Sequence, residues 1–459
     1  MDETERYIKE LLLQQHIESC LQFENVFLSF VNDQTNRDSV KQIQELQRKM
    51  TKNWQLIARR EEIKTLPIPF PNGIAGKPYH ALFDFSALGL TDIRTYRLYG
   101  LEESGLIYDS SAKTISGIPV QSGDIRMYFE YSLLEEPEGS EPNTRTISII
   151  INPDPKSLWK NIPSDQNAPF AKPDEESVTA KLGDQTLVIA SKRGRSHANT
   201  GGYREDDFAF VDLGNGWSTI AISDGAGSAK LSRKGSQLAC TTVTDYFKTV
   251  FASNSEVFTA INSVAGMENI RAFAKEAAQQ AYNTIKQFAV AHQESIEAFH
   301  ATLAFALIKQ HEEETLVLSF AVGDCPILLI SDNFKQIQLL NKLDVGSFGG
   351  GTRFITMPEI WEASDLDSRI TIHHTKTKNC LVLMTDGIYD PKFEVEANLE
   401  NPEKWQNFFD DLNGANPEAI SVGLFQNTTD SDVRLLDWMN FWSPGNHDDR
   451  TLALYFKTP

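Results

Sequence analysis

The chain has 459 residues, of which 41% are hydrophobic and 23% charged, and its formal net charge is −20. This length indicates roughly two to four domains, and the ordinary composition excludes wholesale disorder. The acidic balance excludes nucleic acid and anionic membrane surfaces as expected partners, because both repel a strongly negative protein.

The sequence has no apolar run long enough to span a membrane, and its acidic start does not resemble a secretory signal. We therefore expect a cytoplasmic protein. The cysteines are far apart and never form a Cys-x-x-Cys pair, which excludes a disulfide scaffold and a tetrahedral zinc site. None of them begins a Cys-x5-Arg loop, which excludes phosphatases that use a thiolate nucleophile. They are Cys20, Cys240, Cys325 and Cys380.

Residues 1–64 predict a helical hairpin. Apolar residues recur at helical spacing on both sides of a polar cluster at 32–38, where we expect the turn. This hairpin could pack on its own chain, self-associate or dock a specific partner, and the sequence leaves these alternatives open.

Residues 65–152 predict a small all-β domain, because short alternating runs follow one another between Gly, Pro, Asp and Ser. The segments GKPY (76–79), GLIYD (105–109) and TISGIP (114–119) resemble the repeats of immunoglobulin-like modules. The resemblance implies an immunoglobulin-like β-sandwich that acts as a spacer or binding module and carries no chemistry.

Residues 153–178 contain several prolines and charges, which indicates a linker. From 179 to 459, strand-like runs alternate with helical ones. The predicted strands are 187–190, 208–212, 218–223, 302–308, 316–322, 327–330, 381–385 and 451–456, and the best helices are 234–252 and 269–292.

Acidic residues stand at the ends of several of these strands. Asp224-Gly225 and Asp386-Gly387 each follow an apolar strand, and Asp324 follows another. A single Asp-Gly pair is most often a turn, but carboxylates at corresponding strand ends meet at one edge of a sheet. Carboxylate and backbone oxygens are the ligands of hard cations, and clustered acids are costly without one.

Motifs in this order resemble the protein phosphatase 2C family, the metal-dependent PPM-type serine/threonine phosphatases. They are REDDF (204–208), ISDGAGS (222–228), AVGDC (321–325), MTDGIYD (384–390) and HDDRT (447–451). The pairs Ser196-His197 and Glu205-Asp206, together with GGTRF (350–354), look most like a bacterial branch of that family.

The resemblance implies a site with two Mg²⁺ or Mn²⁺ ions and a third, weaker one. In the implied site, Asp224 bridges the two ions, the Gly225 carbonyl is a further ligand, and Asp386 and Asp448 complete the second ion. Glu205 and Asp206 hold water around the ions, and Asp324 binds the third ion. Asp224, Asp386 and Asp448 would be the catalytic set. Two such ions about 4 Å apart activate a water that attacks phosphorus in line, so no protein nucleophile is needed.

The sequence also departs from the family pattern. The arginine that usually grips the phosphate is replaced by Gly201, and the histidine that usually follows Asp-Gly is replaced by Ala226. Arg193 or Arg195, with His197 as third choice, could supply the phosphate contact, because arginine binds phosphate bidentately. The same residues could instead only solvate the end of a strand.

We therefore predict an α+β protein whose phosphatase domain, 179–459, is a β-sandwich of two antiparallel sheets flanked by helices. The predicted activity is hydrolysis of phosphoserine and phosphothreonine in a phosphorylated protein substrate, within a serine/threonine kinase system. One alternative is an inactive or weakly active scaffold that binds phosphoproteins. Another is a two-metal phosphoesterase acting on small molecules.

Overall fold

The fold is given by a computed structural model that describes residues 2–311, 314–331, 334–344, 351–362, 366–376, 379–424, 426 and 429–457. The chain divides into two compact units, Met1–Leu158 and Trp159–Pro459. Among the described residues, no helix combines the length and apolar character needed to cross a membrane.

The first unit begins with helices and continues with short strands. The helices are α1 (Glu3–Gln14), α2 (Glu24–Asn32) and α3 (Gln34–Thr65). The strands are β1 (Gly73–Ile74), β2 (Tyr79–Leu82), β3 (Ile93–Tyr99), β4 (Leu106–Asp109), β5 (Thr114–Gly117), β6 (Gly123–Leu133) and β7 (Asn143–Asn152).

The helices α2 and α3 are separated at Asp33, inside the polar cluster 32–38 where the sequence predicts a turn, and most of that cluster is helical. Asp33 ends α2 and caps α3, because its carboxylate accepts hydrogen bonds from the backbone N–H of Thr35 and Asn36. A further break separates α1 from α2, where His16 has a positive φ of 60°. Residues 1–64 therefore form more than the two predicted helices.

The strands of this unit form one sheet in the order β1-β7-β6-β3 and another in the order β2-β5-β4. Side chains of both sheets share a hydrophobic core, which contains Phe83, Ile115 and Phe129. Ile63, fully buried, carries the end of α3 into the same core. This helix is thereby part of the β-rich core that follows it.

The second unit contains long antiparallel sheets and helices. Its strands are β8 (Glu175–Leu182), β9 (Gln185–Lys192), β10 (Asp207–Gly214), β11 (Trp217–Ser223), β12 (Leu303–His311), β13 (Glu314–Val322), β14 (Ile327–Ser331), β15 (Gln336–Leu339), β16 (Ile370–Thr375), β17 (Asn379–Met384) and β18 (Arg450–Phe456). Its helices are α4 (Arg195–Thr200), α5 (Ser232–Ser253), α6 (Ser255–Thr259), α7 (Val264–Ala291), α8 (Glu359–Glu362), α9 (Asp386–Phe393), α10 (Pro402–Leu412) and α11 (Ser431–Trp438). Every strand and helix predicted from the apolar pattern of this region is confirmed, with ends that differ by a few residues.

One antiparallel sheet has the order β10-β11-β12-β13-β16, and another has the order β15-β14-β17-β18-β9-β8. Ile220 and Ile222 of the first sheet share a hydrophobic cluster with Leu381 and Leu383 of the second. Alternate residues of a strand point to opposite faces. Helices α5 and α7 accordingly cover the other face of the first sheet, in a cluster with Phe305.

The segment predicted as a linker, 153–178, does not behave as an extended linker in its second part. Residues 159–178 belong to the second unit, and β8 begins inside this segment. Lys172 is buried, and its ammonium donates hydrogen bonds to Asp207 Oδ2 at 2.9 Å and to the carbonyl oxygen of Asp206 at 2.5 Å. A buried lysine paired with a carboxylate holds this segment against the start of β10.

Candidate metal centre and phosphate site

The predicted acidic ligands lie where strands begin or end. Their positions are Glu205 and Asp206 before β10, Asp224 after β11, Asp324 after β13, Asp386 after β17 and Asp448 before β18. The register of the antiparallel pairs brings these ends together: Asp207 pairs with Ser223, and Met384 pairs with Leu452.

Asp206 joins the two sheets at this edge. Its Oδ2 accepts hydrogen bonds from Thr385 Oγ1 at 2.8 Å and from Thr451 Oγ1 at 2.7 Å. Asp206 precedes β10 of the first sheet, whereas Thr385 directly follows β17 and Thr451 lies in β18 of the second sheet. One carboxylate is therefore held by two strands of the opposite sheet.

The carboxylates destabilise one another in their charged forms. Burial, followed by the charges of Asp386 and Asp206, raises the pKa of Asp224 well above its ordinary value. Burial and the charge of Asp448 do the same for Asp386. Burial also raises the pKa of Glu205 and that of Asp206 to about 7. These groups form an acidic cluster in which burial and mutual repulsion oppose ionisation.

Several carboxylate oxygens of the cluster are buried without a hydrogen-bond partner among the described residues. They are Glu205 Oε2, Asp206 Oδ1 and Asp324 Oδ1. The other oxygen of Asp324 accepts a hydrogen bond from Thr352 Oγ1 at 2.8 Å, so the carboxylate is oriented. Buried anionic oxygens that are oriented but unpartnered fit the coordination of a hard divalent cation or of its water ligands.

The backbone at Gly225 permits this arrangement. A Cβ at this position would lie 2.6 Å from the carbonyl oxygen of Glu205, so only glycine allows the two chain segments to approach. Asp224 is fixed on the other side, because its N–H donates to Thr302 Oγ1 and its carbonyl accepts from the N–H of Thr302, both at 2.8 Å. The bridging position predicted for Asp224 is therefore rigid.

The site also contains Asp449, which the sequence analysis did not select. Its Oδ1 accepts hydrogen bonds from the N–H of Gly194 at 2.6 Å and lies 3.0 Å from His197 Nδ1, while its Oδ2 accepts from the N–H of Glu205 and of Asp206. Burial would raise the pKa of Asp449, but the hydrogen bonds from His197 and the backbone lower it. Asp449 thereby positions both the acidic pair and the imidazole.

His197 is the cationic group that lies beside the acidic cluster. Burial opposes its charge, but the hydrogen bond and charge of Asp449 raise the pKa of His197 to about 9. Its Nε2 lies 3.7 Å from Glu205 Oε2. Potential ligand atoms of His197, Asp448 and Asp449 all lie within 4.8 Å of one another. Among the described residues, Asp224, Asp386 and Asp448 do not form a group that is as compact.

The two predicted phosphate-binding arginines have other contacts. The guanidinium of Arg193 donates to the carbonyl oxygens of Gly202 and Ile162, at 2.7 and 3.0 Å, and forms an ion pair with Asp174. Arg193 is 9% exposed. A phosphate contact would require Arg193 to break these interactions in its buried position.

Arg195 is similarly engaged. Its guanidinium donates to the carbonyl oxygens of Asn440 and Phe441, at 2.5 and 3.0 Å, and lies 5.4 Å from the centre of the Trp442 ring. In contrast, Arg353 is exposed and directly follows Thr352, the partner of Asp324. Of the GGTRF motif, Gly350 lies outside the described residues.

Comparison with protein-family models gives a match within the second unit of the chain. Residues 193–421 match the family model described as Protein phosphatase 2C. No curated protein matches the chain.

Several solved structures resemble the chain at low identity. A C. elegans sex determining protein is 13% identical, with a TM-score of 0.38 over 61% of this chain and 66% of its own. The Mycobacterium tuberculosis serine/threonine phosphatase PstP/Ppp is 15% identical, with a TM-score of 0.33 over 60% of this chain and 99% of its own. PppA, a regulatory component of the T6SS in Pseudomonas aeruginosa, is 12% identical, with a TM-score of 0.35 over 60% and 98%. Similarity at this level carries no conclusion about activity.

Proposed function

Because the chain belongs to the protein phosphatase 2C family through residues 193–421, we propose that it is a metal-dependent protein serine/threonine phosphatase. The observation that supports this proposal best is the set of buried carboxylate oxygens on Glu205, Asp206 and Asp324 that have no hydrogen-bond partner within the described part of the chain. Unpartnered buried charge destabilises a fold, and such a cluster is retained where a cation neutralises it.

The proposed ligands of two Mg²⁺ or Mn²⁺ ions are the side chains of Asp224, Asp386 and Asp448 and the carbonyl oxygen of Gly225. Glu205 and Asp206 would hold water around these ions, and Asp324 would hold a third, weaker ion. When bound, the ions supply an activated water as nucleophile and offset the charge of the phosphoryl group.

We propose that His197 performs the proton chemistry and the phosphate contact on the protein side. The Asp449 carboxylate fixes Nδ1–H of the imidazole, so Nε2 is the nitrogen available beside Glu205. With a pKa of about 9, the imidazole is protonated at neutral pH. It can donate a hydrogen bond to the phosphoryl group and pass a proton from Nε2 to the leaving serine oxygen. Arg353, which is exposed, is the second candidate for the phosphate contact.

The competing proposal is a scaffold that binds phosphoproteins without hydrolysing them. The contacts that occupy Arg193 and Arg195, together with Ala226 in place of the usual histidine, favour it. The two proposals differ in one measurable property, which is turnover.

The test is hydrolysis of a phosphoserine peptide and of an aryl phosphate, with Mn²⁺ and with EDTA. We expect turnover of both substrates in Mn²⁺ and none in EDTA or in the Asp224→Asn variant. The matched control is Asp245→Asn, an exposed aspartate on α5. Binding of the peptide without turnover would support the scaffold, and turnover of small esters alone would indicate a phosphoesterase. Full activity in EDTA would refute metal dependence.

The remaining proposals concern architecture and setting. We propose that the second unit is a two-sheet β-sandwich flanked by helices, and that residues 65–152 are an immunoglobulin-like module that spaces or docks partners. The shared hydrophobic clusters of their sheets support both. A phosphorylated protein within a serine/threonine kinase system is the proposed substrate. Free cysteines and the acidic composition support a cytoplasmic location.

A further inference from the structure

A cavity of about 610 Å³ lies in the second unit, away from the acidic cluster. Trp217 at the start of β11, His311 at the end of β12 and Glu314 at the start of β13 line it. The acidic cluster lies at the opposite ends of the same strands. Along the length of β11, the separation is about 20 Å. The cavity is therefore distinct from the proposed metal centre.

The lining of the cavity is mixed, and its aromatic side chains lie together on one side. Trp217 and Phe258 make an edge-to-face contact with ring centres 5.1 Å apart, and Phe251 packs on Phe258 at 4.8 Å. Leu316 and Ile372 belong to the strands that line the other side. Cavities of a few hundred Å³ with such walls hold the apolar body of a small molecule.

In the part of the chain that the structure describes, the Lys309 ammonium lines this cavity without a carboxylate partner. The Lys309 ammonium donates a hydrogen bond to the carbonyl oxygen of Asn215 and lies 5.7 Å from the centre of the Trp217 ring. Among the described residues, no carboxylate lies within ion-pair distance of it. Burial lowers the pKa of Lys309, which indicates that its charge is poorly solvated. An anion beside it would relieve that cost.

The described carboxylate of the cavity lining, Glu314, is already paired with basic groups. The carboxylate of Glu314 lies 2.9 Å from the Lys376 ammonium and 3.4 Å from His374 Nε2. Glu314 is therefore neutralised by its own neighbours and does not oppose an anion at Lys309.

We propose that this cavity binds an amphipathic monocarboxylate, with the carboxylate on Lys309 and an aromatic or aliphatic body against Trp217 and Phe258. The aromatic side of the lining accounts for the body, and the Lys309 ammonium, which lacks a carboxylate partner among the described residues, accounts for the single negative charge. This site is separate from the phosphatase chemistry and does not depend on it.

The experiment uses the full chain and titrates 2-naphthylacetate by calorimetry, with 2-naphthylacetamide as the uncharged analogue. We expect one binding site for the acid and binding of the amide that is roughly tenfold weaker, since one charge-assisted hydrogen bond is lost. Lys309→Met should weaken binding of the acid by a similar factor and bring acid and amide to equal affinity. Lys335→Met, at an exposed lysine near β14, is the matched control and should bind as the wild type does.

A second variant keeps the test decisive if Lys309→Met does not fold. Ser255 is exposed at the start of α6 and lines the cavity, so Ser255→Trp should fill the cavity and abolish binding while the fold stays intact. Equal affinity of acid and amide for the wild type, or binding that survives both substitutions, would overturn the proposal. The absence of binding at a millimolar concentration of 2-naphthylacetate would also overturn the proposal.

Discussion

The acidic cluster predicts that the metal-free protein loses stability as pH rises. Glu205 has a pKa of about 7 in the folded chain against an ordinary value of 4.5, and burial is the main cause. A carboxyl group whose pKa is raised by folding gives full stability below the unfolded value, and this contribution is lost as pH rises through the folded value. The difference between the two values, at about 1.4 kcal/mol for each pH unit, corresponds to about 3 kcal/mol.

The perturbation is Glu205→Gln, which removes the titrating charge and keeps the shape. We expect this variant to be more stable than the wild type in EDTA at pH 8, by up to about 3 kcal/mol, and equal to it at pH 4.5. Urea unfolding followed by circular dichroism measures both free energies, and Glu403→Gln, at an exposed position on α10, is the control. Saturating Mn²⁺ should reverse the order at pH 8, because only the wild type keeps the ligand.

A stability difference that is the same at pH 4.5 and pH 8 would refute the assignment of this effect to an ionised, buried Glu205. A variant that is less stable than the wild type in EDTA at pH 8 would also refute it. Either result would mean that the carboxylate is stabilised in the folded chain without a metal.

Further predictions concern activity and boundaries. Asp224→Asn should abolish turnover and weaken Mn²⁺ binding in calorimetry, whereas Asp324→Asn should lower kcat roughly tenfold and leave the tighter ions in place. Asp449→Asn should lower kcat by roughly tenfold or more, because it weakens a charged hydrogen bond that positions the imidazole; unchanged kcat would remove that role. A chain of residues 159–459 should fold alone and hydrolyse an aryl phosphate. A chain of residues 179–459 should be unstable, because it lacks the buried Lys172 and half of β8. Equal midpoints of thermal unfolding for the two chains would contradict this.

The sequence predicts the elements whose apolar pattern is strong. β11 is buried along its whole length, and α7 buries a regular face rich in alanine, so both stand out in the sequence. β8 was missed because its residues are mostly half-exposed and it follows a run of prolines and charges, which favours a linker. Its pairing with β9 closes at Leu182 and Gln185 around the two-residue turn Gly183-Asp184, which is a local hairpin signal that the prediction of a linker did not use.

The sequence was sufficient to predict the acidic residues of the candidate site, but it did not reveal the groups that hold them in position. Asp224 and Asp386 were recognisable because each follows an apolar strand. Asp449 was passed over as a neighbour of Asp448, although two adjacent acids before a buried strand imply that one of them serves the backbone. Arg193 was selected for its chemistry alone, and burial against the preceding segment is invisible in the sequence. The phosphate contact of Arg193 stays a prediction, and the existing contacts of its guanidinium argue against it.

The position of β18 has a consequence for synthesis on the ribosome. β18 lies between β17 and β9, and it pairs Arg450 with Lys192, about 260 residues earlier in the chain. At roughly 5–20 residues per second, β9 waits on the order of ten to fifty seconds for this partner. During that interval the nascent chain exposes an unpaired strand edge whose centre, 187–190, is apolar, and such an edge is a template for aggregation. We expect the newly made protein to depend on chaperones until β18 has emerged.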